Sequence, residues 1–247
     1  MKPFVTIILA AGKGTRMKSD LPKVLHPVGG KPMLLHVVGL AQAIGSQRII
    51  SIIGHKKNFV IEALRPTGTE WAIQAQQLGT GHAVQQTADM LSGFDGDLLI
   101  LSGDVPLLKP ETIHGLLQKH RSTRAGATLL TAIFDDPSGY GRIIRNSDGS
   151  LKAIVEHKDC TPNQLTIHEI NAGIYVMDAQ VCFKALTMIN NDNSQGEYYL
   201  PDVLQYFPDM GKTVALEIVR DHNEISGVNT PQQLAELNRI FQAHHEK

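Results

Sequence analysis

Val5-Thr6-Ile7-Ile8-Leu9-Ala10-Ala11-Gly12-Lys13-Gly14-Thr15-Arg16-Met17 is the stretch from which the rest of the chain can be read. Residues 5–10 form a short apolar run rich in β-branched side chains, the composition of a strand buried on both faces. The run empties into small residues and a Gly-Lys-Gly turn, where a backbone can approach a ligand closely and direct its N–H groups outward. Lys13 and Arg16, with Lys23 beyond them, bring positive charge to the same place. Such a loop suits phosphate, with a plain tight turn as the alternative. It is not a Walker A loop, which needs a longer gap before Gly-Lys-Ser/Thr. Nor is it the dinucleotide fingerprint, which needs glycine where Met17 stands.

Outward from this stretch, the first half keeps alternating strand and helix. Residues 48–53, 71–74 and 97–102 read as further strands, being short, apolar and bounded by turn or polar residues. Helices are expected at 33–44, 57–64, 82–91 and 110–120, the last with Pro110 where a first helical turn tolerates it. This rhythm predicts an α/β fold: a Rossmann-like, mostly parallel sheet covered on both faces, with ligands bound beyond the carboxyl ends of its strands. After about residue 125 the pattern shifts to strands at 128–134, 141–144, 151–155 and 170–176, with little helix between them. A loop dense in Asp, Pro and Gly covers 135–140, and a long polar connection covers 190–197. A helix at 198–207, a strand at 213–219 and a final helix at 231–245 complete the reading, the last behind Asn229 and Thr230 as cap candidates. No linker separates the halves, so a mixed second lobe of the same domain is expected.

Bulk properties remove several classes of function. The chain has 247 residues, 42% hydrophobic and 19% charged, with mean hydropathy −0.10, which is ordinary for a globular protein. A net charge of −1 gives no global field for nucleic acid or an anionic membrane surface, so any basic function is local. Cys160 and Cys182 form neither a disulfide framework nor a C-x-x-C pair, and free thiols in a reducing compartment are the simplest reading. The apolar stretch at 4–11 is too short to span a bilayer and lacks the flanks of a secretory signal. A cytoplasmic protein is expected, with neither nucleic acid nor membrane as partner. Eleven histidines are present without the spacing of a zinc motif.

Two further residues invite a chemical reading. Asp104 lies just past the end of the fourth expected strand, where a carboxylate is well placed for a hard cation, or could cap the helix that starts at Pro110. Asn229 reads on its own as an N-cap.

The wider pattern resembles a known family. Leu9 to Met17 followed by Asp20-Leu21-Pro22-Lys23 resembles the signature of sugar-nucleotide pyrophosphorylases. More blocks follow in order: Gln74-Ala75-Gln76-Gln77-Leu78-Gly79-Thr80-Gly81-His82-Ala83, Gly103-Asp104-Val105-Pro106-Leu107 and Asp136-Pro137-Ser138-Gly139-Tyr140-Gly141-Arg142. Then come Val155-Glu156-His157-Lys158-Asp159, Glu169-Ile170-Asn171-Ala172-Gly173, Gln195-Gly196-Glu197-Tyr198-Tyr199 and Gly227-Val228-Asn229. The series is similar to the uridylyltransferase half of the bacterial N-acetylglucosamine-1-phosphate uridylyltransferases, over essentially residues 4–230.

The resemblance implies the nucleotide-diphospho-sugar transferase fold, with residues 1–230 as the nucleotidyltransferase domain and 231–247 as a C-terminal helix. It implies UTP and N-acetylglucosamine 1-phosphate as substrates, Mg2+ as cofactor, and a product used in peptidoglycan and cell wall biogenesis. Asp104 and Asn229 would hold the metal. Lys23 would contact substrate phosphate, while Arg16 and the 12–15 backbone face the leaving pyrophosphate. Leu9, Ala10, Ala11 and Gly12 would border the nucleotide, and Gln74, Gly79 and Thr80 would read uracil. Ser102 and Gly103 would flank the metal ligand, and Gly141, Glu156 and Asn171 would receive the sugar. Arg16 and Lys23 are read as exposed charges whose loss leaves stability nearly unchanged.

Ser102 stands where the family usually has tyrosine, and Ala172 where threonine usually precedes glycine. Selectivity is therefore expected to be looser than the reaction type. The family's left-handed β-helix acetyltransferase half is not represented by repeats in this sequence, and a monomer or weak homo-oligomer is expected. A transferase for another sugar 1-phosphate or for dTTP, and a non-catalytic ligand-sensing domain, are the rival readings.

Overall fold

Alternation along the first strand, β1 (Phe4–Ala10), divides the core in two: Phe4, Ile8 and Ala10 enter one apolar cluster and Val5 and Ile7 the other. The computed structural model describes residues 2–245. After β1 come the short hairpin strands β2 (Pro27–Val28) and β3 (Lys31–Pro32), then α1 (Met33–Ala43), β4 (Ile49–Ile53), α2 (Lys57–Leu64) and β5 (Glu70–Ile73). Next are α3 (Thr80–Gln85), β6 (Asp97–Ser102), α4 (Pro110–Thr123), β7 (Ala127–Ile133), β8 (Arg142–Arg145) and β9 (Leu151–Val155). The chain continues through α5 (Pro162–Leu165), β10 (Glu169–Asp178), α6 (Ala179–Leu186), β11 (Val214–Ile218) and α7 (Pro231–His245).

Among the described residues the main sheet has the order β11-β7-β10-β6-β1-β4-β5, with β8 paired to β10 and β9 to β8. β1 runs parallel to both β4 and β6, and β4 parallel to β5. The chain thus leaves β1 toward one side of the sheet and returns on the other, which opens a crevice at the carboxyl ends of β1 and β6. There Leu9 pairs with Ser102, and Gly103 N donates to Leu9 O at 2.9 Å. β10 is antiparallel to β6, so its first residues, Asn171 among them, are carried to that same end. Residues of α1, α2 and α4 cover one face of the sheet, and those of α3, α6 and the 200–207 segment cover the other.

Several expectations shift. The helix expected at 82–91 is α3 followed by a separate 3-10 turn at Asp89–Leu91. The one expected at 198–207 is a 3-10 helix, Leu200–Tyr206, with Pro201, which has no N–H to donate, at its second position. Helix α6 was not anticipated. It follows β10 without a break, with the Asp178 carboxylate accepting from Val181 N at 3.2 Å as its cap. No helix among the described residues is long and apolar enough to cross a membrane. Both cysteines are free thiols.

The 3-10 segment earns its irregular geometry by burial: Leu200, Val203 and Leu204 are buried, and Phe207, just past its end, is fully buried. Replacing Phe207 with Ala removes the largest of these side chains, and a loss of about 3–5 kcal/mol is expected in urea-unfolding measurements. A change below about 1 kcal/mol would show that the segment is not part of the cooperative core.

Candidate active site

The loop after β1 is shaped by two glycines with different tasks. Gly14 has φ +59°, and a Cβ there would lie 2.6 Å from Lys23 Cβ, so glycine is what lets the Lys23 stem cross the loop. Gly12 meets nothing within 4 Å in the direction a Cβ would take, leaving its backbone open toward the crevice. A 3-10 turn, Thr15–Met17, closes the loop through Met17 N to Gly14 O at 2.9 Å. Met17 is buried with Val28, Met33, Val228 and Leu237, which anchors the loop, while Lys13 and Arg16 stay exposed.

Beyond the loop, charge converges from three distant parts of the chain. Lys23 Nζ donates to Asp104 Oδ2 at 2.5 Å and to Asn229 Oδ1 at 3.1 Å, and Arg16 Nη2 donates to the same Asn229 oxygen at 2.9 Å. Val228 N donates to Asp104 O at 3.2 Å, which ties the 227–229 turn to the end of β6. Thr230 takes the capping task for α7: its hydroxyl accepts from Gln233 N, while Gln233 Oε1 accepts from Thr230 N and Asn229 N. The Asn229 side chain is thereby left to the cations. The Lys23 and Asp104 side chains are only 17% and 16% exposed, so Lys23 is not the free surface charge that the sequence suggested. Arg16 is exposed as expected.

These residues fit a magnesium ion. Asp104 Oδ2 and Asn229 Oδ1 both point at one cationic atom, so they share a target, and both are hard oxygen donors. Such a pair suits an ion that keeps several waters and completes its shell with phosphate oxygens. No group of three or more His, Cys, Asp or Glu that could hold a metal occurs among the described residues.

Two cavities meet at this cluster. The first, about 480 Å³, is lined by the 9–15 backbone, Lys23, Gln74, Gly79, Thr80, Ser102 and Asp104. The second, about 210 Å³, is lined by Gly141, Glu156, Asn171, Ala172 and Asn229 together with Leu9, Thr80, Ser102 and Asp104, the four residues it shares with the first. Of the residues singled out in the sequence, Gly103 lines neither. Its α-carbon faces Leu9 O, 3.0 Å from an added Cβ, so it serves strand packing. Arg16 reaches the site through Asn229 rather than by lining a wall. Residues that sequence reasoning did not single out as ligand-binding are Gln77 and Glu197 in the first cavity and Tyr140 and Tyr175 in the second. Gln77, Glu197 and Tyr140 sit inside blocks marked by the resemblance, which was the available signal, whereas Tyr175 lies just past one. A wider cavity of about 560 Å³, beyond Tyr140 and Gly227 and against α7, lacks the cation cluster.

The second cavity is electrostatically unusual. Burial pushes the Glu156 carboxyl above its ordinary range, and Asp202, Asp159 and Glu197 add to the effect. Burial also raises the Tyr140 phenol against the opposing pull of the Gly227 N–H, with Asp104 adding to the rise. Asn171 is buried, donating to Tyr175 Oη at 2.6 Å and accepting from Gly173 N at 3.0 Å. One amide proton and one lone pair of Asn171 remain for other partners. Ser102 Oγ would lie 3.4 Å from a Cβ on Gly173, so a small side chain at 102 faces a glycine across the junction of the cavities.

Comparison with known proteins gives a consistent picture. A family model for the MobA-like NTP transferase domain matches residues 6–154. Proteins named bifunctional protein GlmU from Bacillus cereus and Bacillus anthracis are 47% identical over 235 residues, which is 95% of this chain. The chain spans about half, 51%, of the length of those relatives. Among solved structures, one described as a glucose-1-phosphate thymidylyltransferase of Bacillus anthracis with sucrose superimposes with a TM-score of 0.72 at 22% identity, over 96% of this chain and 94% of that one. HddC from Yersinia pseudotuberculosis with GMP-PN gives 0.69 at 19% identity, over 98% and 100%. At these identities the two structures speak for the fold.

The raised Glu156 carboxyl carries a stability consequence. Its folded pKa lies above the unfolded value, so ionisation penalises the folded state at pH above the folded pKa and not below the ordinary 4.5. Glu156→Gln is therefore expected to raise the melting temperature at pH 7.5, with the gain shrinking as pH falls toward 4.5. Melting curves over that range check it; a lower melting temperature at pH 7.5 would mean that the carboxylate is paired in the fold.

Proposed function

The chain belongs to the family of MobA-like NTP transferase domains, and from that premise we propose that it transfers a uridylyl group from UTP to N-acetylglucosamine 1-phosphate. An oxygen of the sugar phosphate attacks the α-phosphorus of UTP, the bond to the β-phosphate breaks, and the products are UDP-N-acetylglucosamine and pyrophosphate. The observation that carries this reading is that two cavities join at Asp104, Ser102, Leu9 and Thr80, beside Lys23 and Arg16. Nucleotide in the larger cavity and sugar phosphate in the smaller would bring two polyanions together at that junction.

A phosphate monoester is already a nucleophile at neutral pH, so no protein nucleophile is required. The work of the site is to position the reactants and to offset the charge that gathers at the reacting phosphorus. Lys23 and Arg16 do this by exchanging Asp104 and Asn229 for phosphate oxygens, and the open 12–14 backbone offers N–H donors. Asp104 and Asn229 would hold magnesium, which when bound supplies further neutralisation of the phosphates. In the base end of the first cavity, Gln74 is buried with its Nε2 bonded to Gly79 O at 3.0 Å. Its Oε1 is left to accept from uracil N3–H. In the second cavity, Glu156 accepts from sugar hydroxyls and Asn171 meets the acetamide. Free thiols at Cys160 and Cys182 suit the reducing cytoplasm, where we place the reaction.

Support for the sugar and the nucleotide comes from the ordered motif series and from the 47% identity to the GlmU relatives. The favoured rival is a related transferase for another sugar phosphate or dTTP, because Ser102 and Ala172 leave the junction roomier than the family usually has it.

Pyrophosphate release measured across UTP, CTP, dTTP, ATP and GTP, each with N-acetylglucosamine 1-phosphate or glucose 1-phosphate, tests the reading. UTP with N-acetylglucosamine 1-phosphate is expected to give the highest kcat/KM. A higher value for glucose 1-phosphate with dTTP would replace the proposal with the rival. Asp104→Ala is expected to lower turnover by roughly 10²-fold or more, as when a principal electrostatic stabiliser is lost. EDTA should abolish activity and added Mg2+ restore it; full activity in chelator would remove the metal from the scheme.

A further inference from the structure

Beneath the base end of the first cavity lies a side chain that does not line it. His82, on α3, places Nδ1 3.0 Å from Gln74 Nε2 and Nε2 3.2 Å from Gln86 Nε2. A neutral imidazole has one acceptor nitrogen and one donor nitrogen, so only one of these amide groups can donate to it. The surroundings decide which. Gln74 is 3% exposed, and its amide nitrogen is also held by Gly79 O at 3.0 Å. Reversing the Gln74 amide would set two carbonyl oxygens against each other in a buried place. Gln86, just past the end of α3, also donates its amide to His82 O at 2.9 Å, but it is only half-buried and can give up that bond and turn its own carbonyl toward the ring with solvent at hand. His82 is therefore the acceptor at Nδ1 and carries its proton on Nε2.

We propose that His82 is a specificity-determining positioning residue: together with Gly79 O it holds the Gln74 amide so that only its oxygen is offered to the base. The inference rests on the proposed uracil reading and deepens it. An oxygen at that point accepts from the N3–H of a uracil ring. Cytosine presents an unprotonated N3 there, so two acceptors face each other. With Nδ1 removed, Gln74 keeps one of its two anchors and the amide is freer to turn, which relaxes the choice between the two pyrimidines. The sugar end, formed by other residues, is unaffected.

The test is equilibrium binding of UTP and of CTP to the full chain with Mg2+, by calorimetry. The wild type is expected to favour UTP. His82→Phe is expected to lower the UTP-to-CTP affinity ratio by roughly tenfold, the worth of one ordinary net hydrogen bond. His82→Asn, whose side-chain oxygen can stand in for Nδ1, should keep most of the ratio. KM for N-acetylglucosamine 1-phosphate should not move in either variant, whereas a general loss of fold would disturb both ends. A wild-type preference for UTP with an unchanged ratio in His82→Phe overturns the role of His82 and leaves the proposed function standing. Equal binding of UTP and CTP by the wild type overturns the uracil reading and the inference with it. If His82→Phe does not fold, nitrogen-15 NMR of the wild-type histidines with UTP bound decides: an unprotonated Nδ1 on His82 supports the role, and an Nδ1–H ring overturns it.

Discussion

The site depends on one ammonium nitrogen. Lys23 Nζ is shared between Asp104 Oδ2 at 2.5 Å and Asn229 Oδ1 at 3.1 Å, which draws together segments from the beginning, middle and end of the chain. A site proposed to join two polyanions has to gather positive charge, and a folded chain has to satisfy that charge from its own groups. Asp104 supplies the counter-charge and Asn229 a neutral acceptor oxygen, where solvent screening is reduced, since both members of the Lys23–Asp104 pair are mostly buried. The same two oxygens are hard donors of the kind a magnesium ion takes, so in the proposed scheme the partners of the lysine and the ligands of the metal would be the same atoms. In that scheme phosphate oxygens would satisfy Lys23 and Arg16 once Asp104 and Asn229 served the ion. Metal and polyphosphate would thereby be linked, each making room for the other.

The fold exists, at this edge, to keep those atoms in register. Parallel pairing of β1 with β6 runs from Phe4 opposite Asp97 to Leu9 opposite Ser102, and it sets the loop at 10–17 beside Asp104. The 227–229 turn is brought in by Val228 N on Asp104 O and by Val228 and Leu237 packing against Met17. Because Thr230 and Gln233 cap α7, the Asn229 side chain is not consumed by the helix end. The cap and the cation site are neighbouring residues with separate duties, whereas the sequence offered Asn229 for both.

What could be read from sequence was what is encoded locally. β1 and the loop after it declare themselves through composition and spacing, and every motif block contributes at least one residue to the walls of the two cavities. Readings failed where the cause was tertiary or the punctuation slight. Pro201 at the start of the 200–206 segment favours a tight 3-10 turn, and only packing against α3 and α6 shows that the segment belongs to the core. The α6 helix follows β10 with neither Gly nor Pro between them, so its apolar residues Ala179, Cys182, Ala185 and Leu186 merged with the strand pattern; Asp178 as cap was the missed sign. Gly103 looked like a ligand contact because it sits between Ser102 and Asp104. It lines neither cavity, and its α-carbon packs closely against Leu9 O. The burial of Lys23 was invisible for the same reason: the residues that cover it are remote in sequence.

The two cavities are also mechanically joined. Gly79, with φ +110°, has no room for a side chain because Tyr198 O would lie 2.5 Å from its Cβ, so the 78–81 turn is pressed against the 197–200 segment. Tyr198 N donates to Leu78 O, Gly81 N donates to Tyr198 O, and Leu200 N donates to the Thr80 hydroxyl. Leu200 and Pro201 are wall residues of the second cavity, while Gln74, Gly79 and Thr80 shape the first. The turn that holds the Gln74 amide through Gly79 O is thus continuous, by backbone hydrogen bonds, with a wall of the other cavity. Ser102, which lines both cavities, and Ala172, which lines the second, put small side chains beside this shared wall, so backbone rather than bulky side chains shapes the junction.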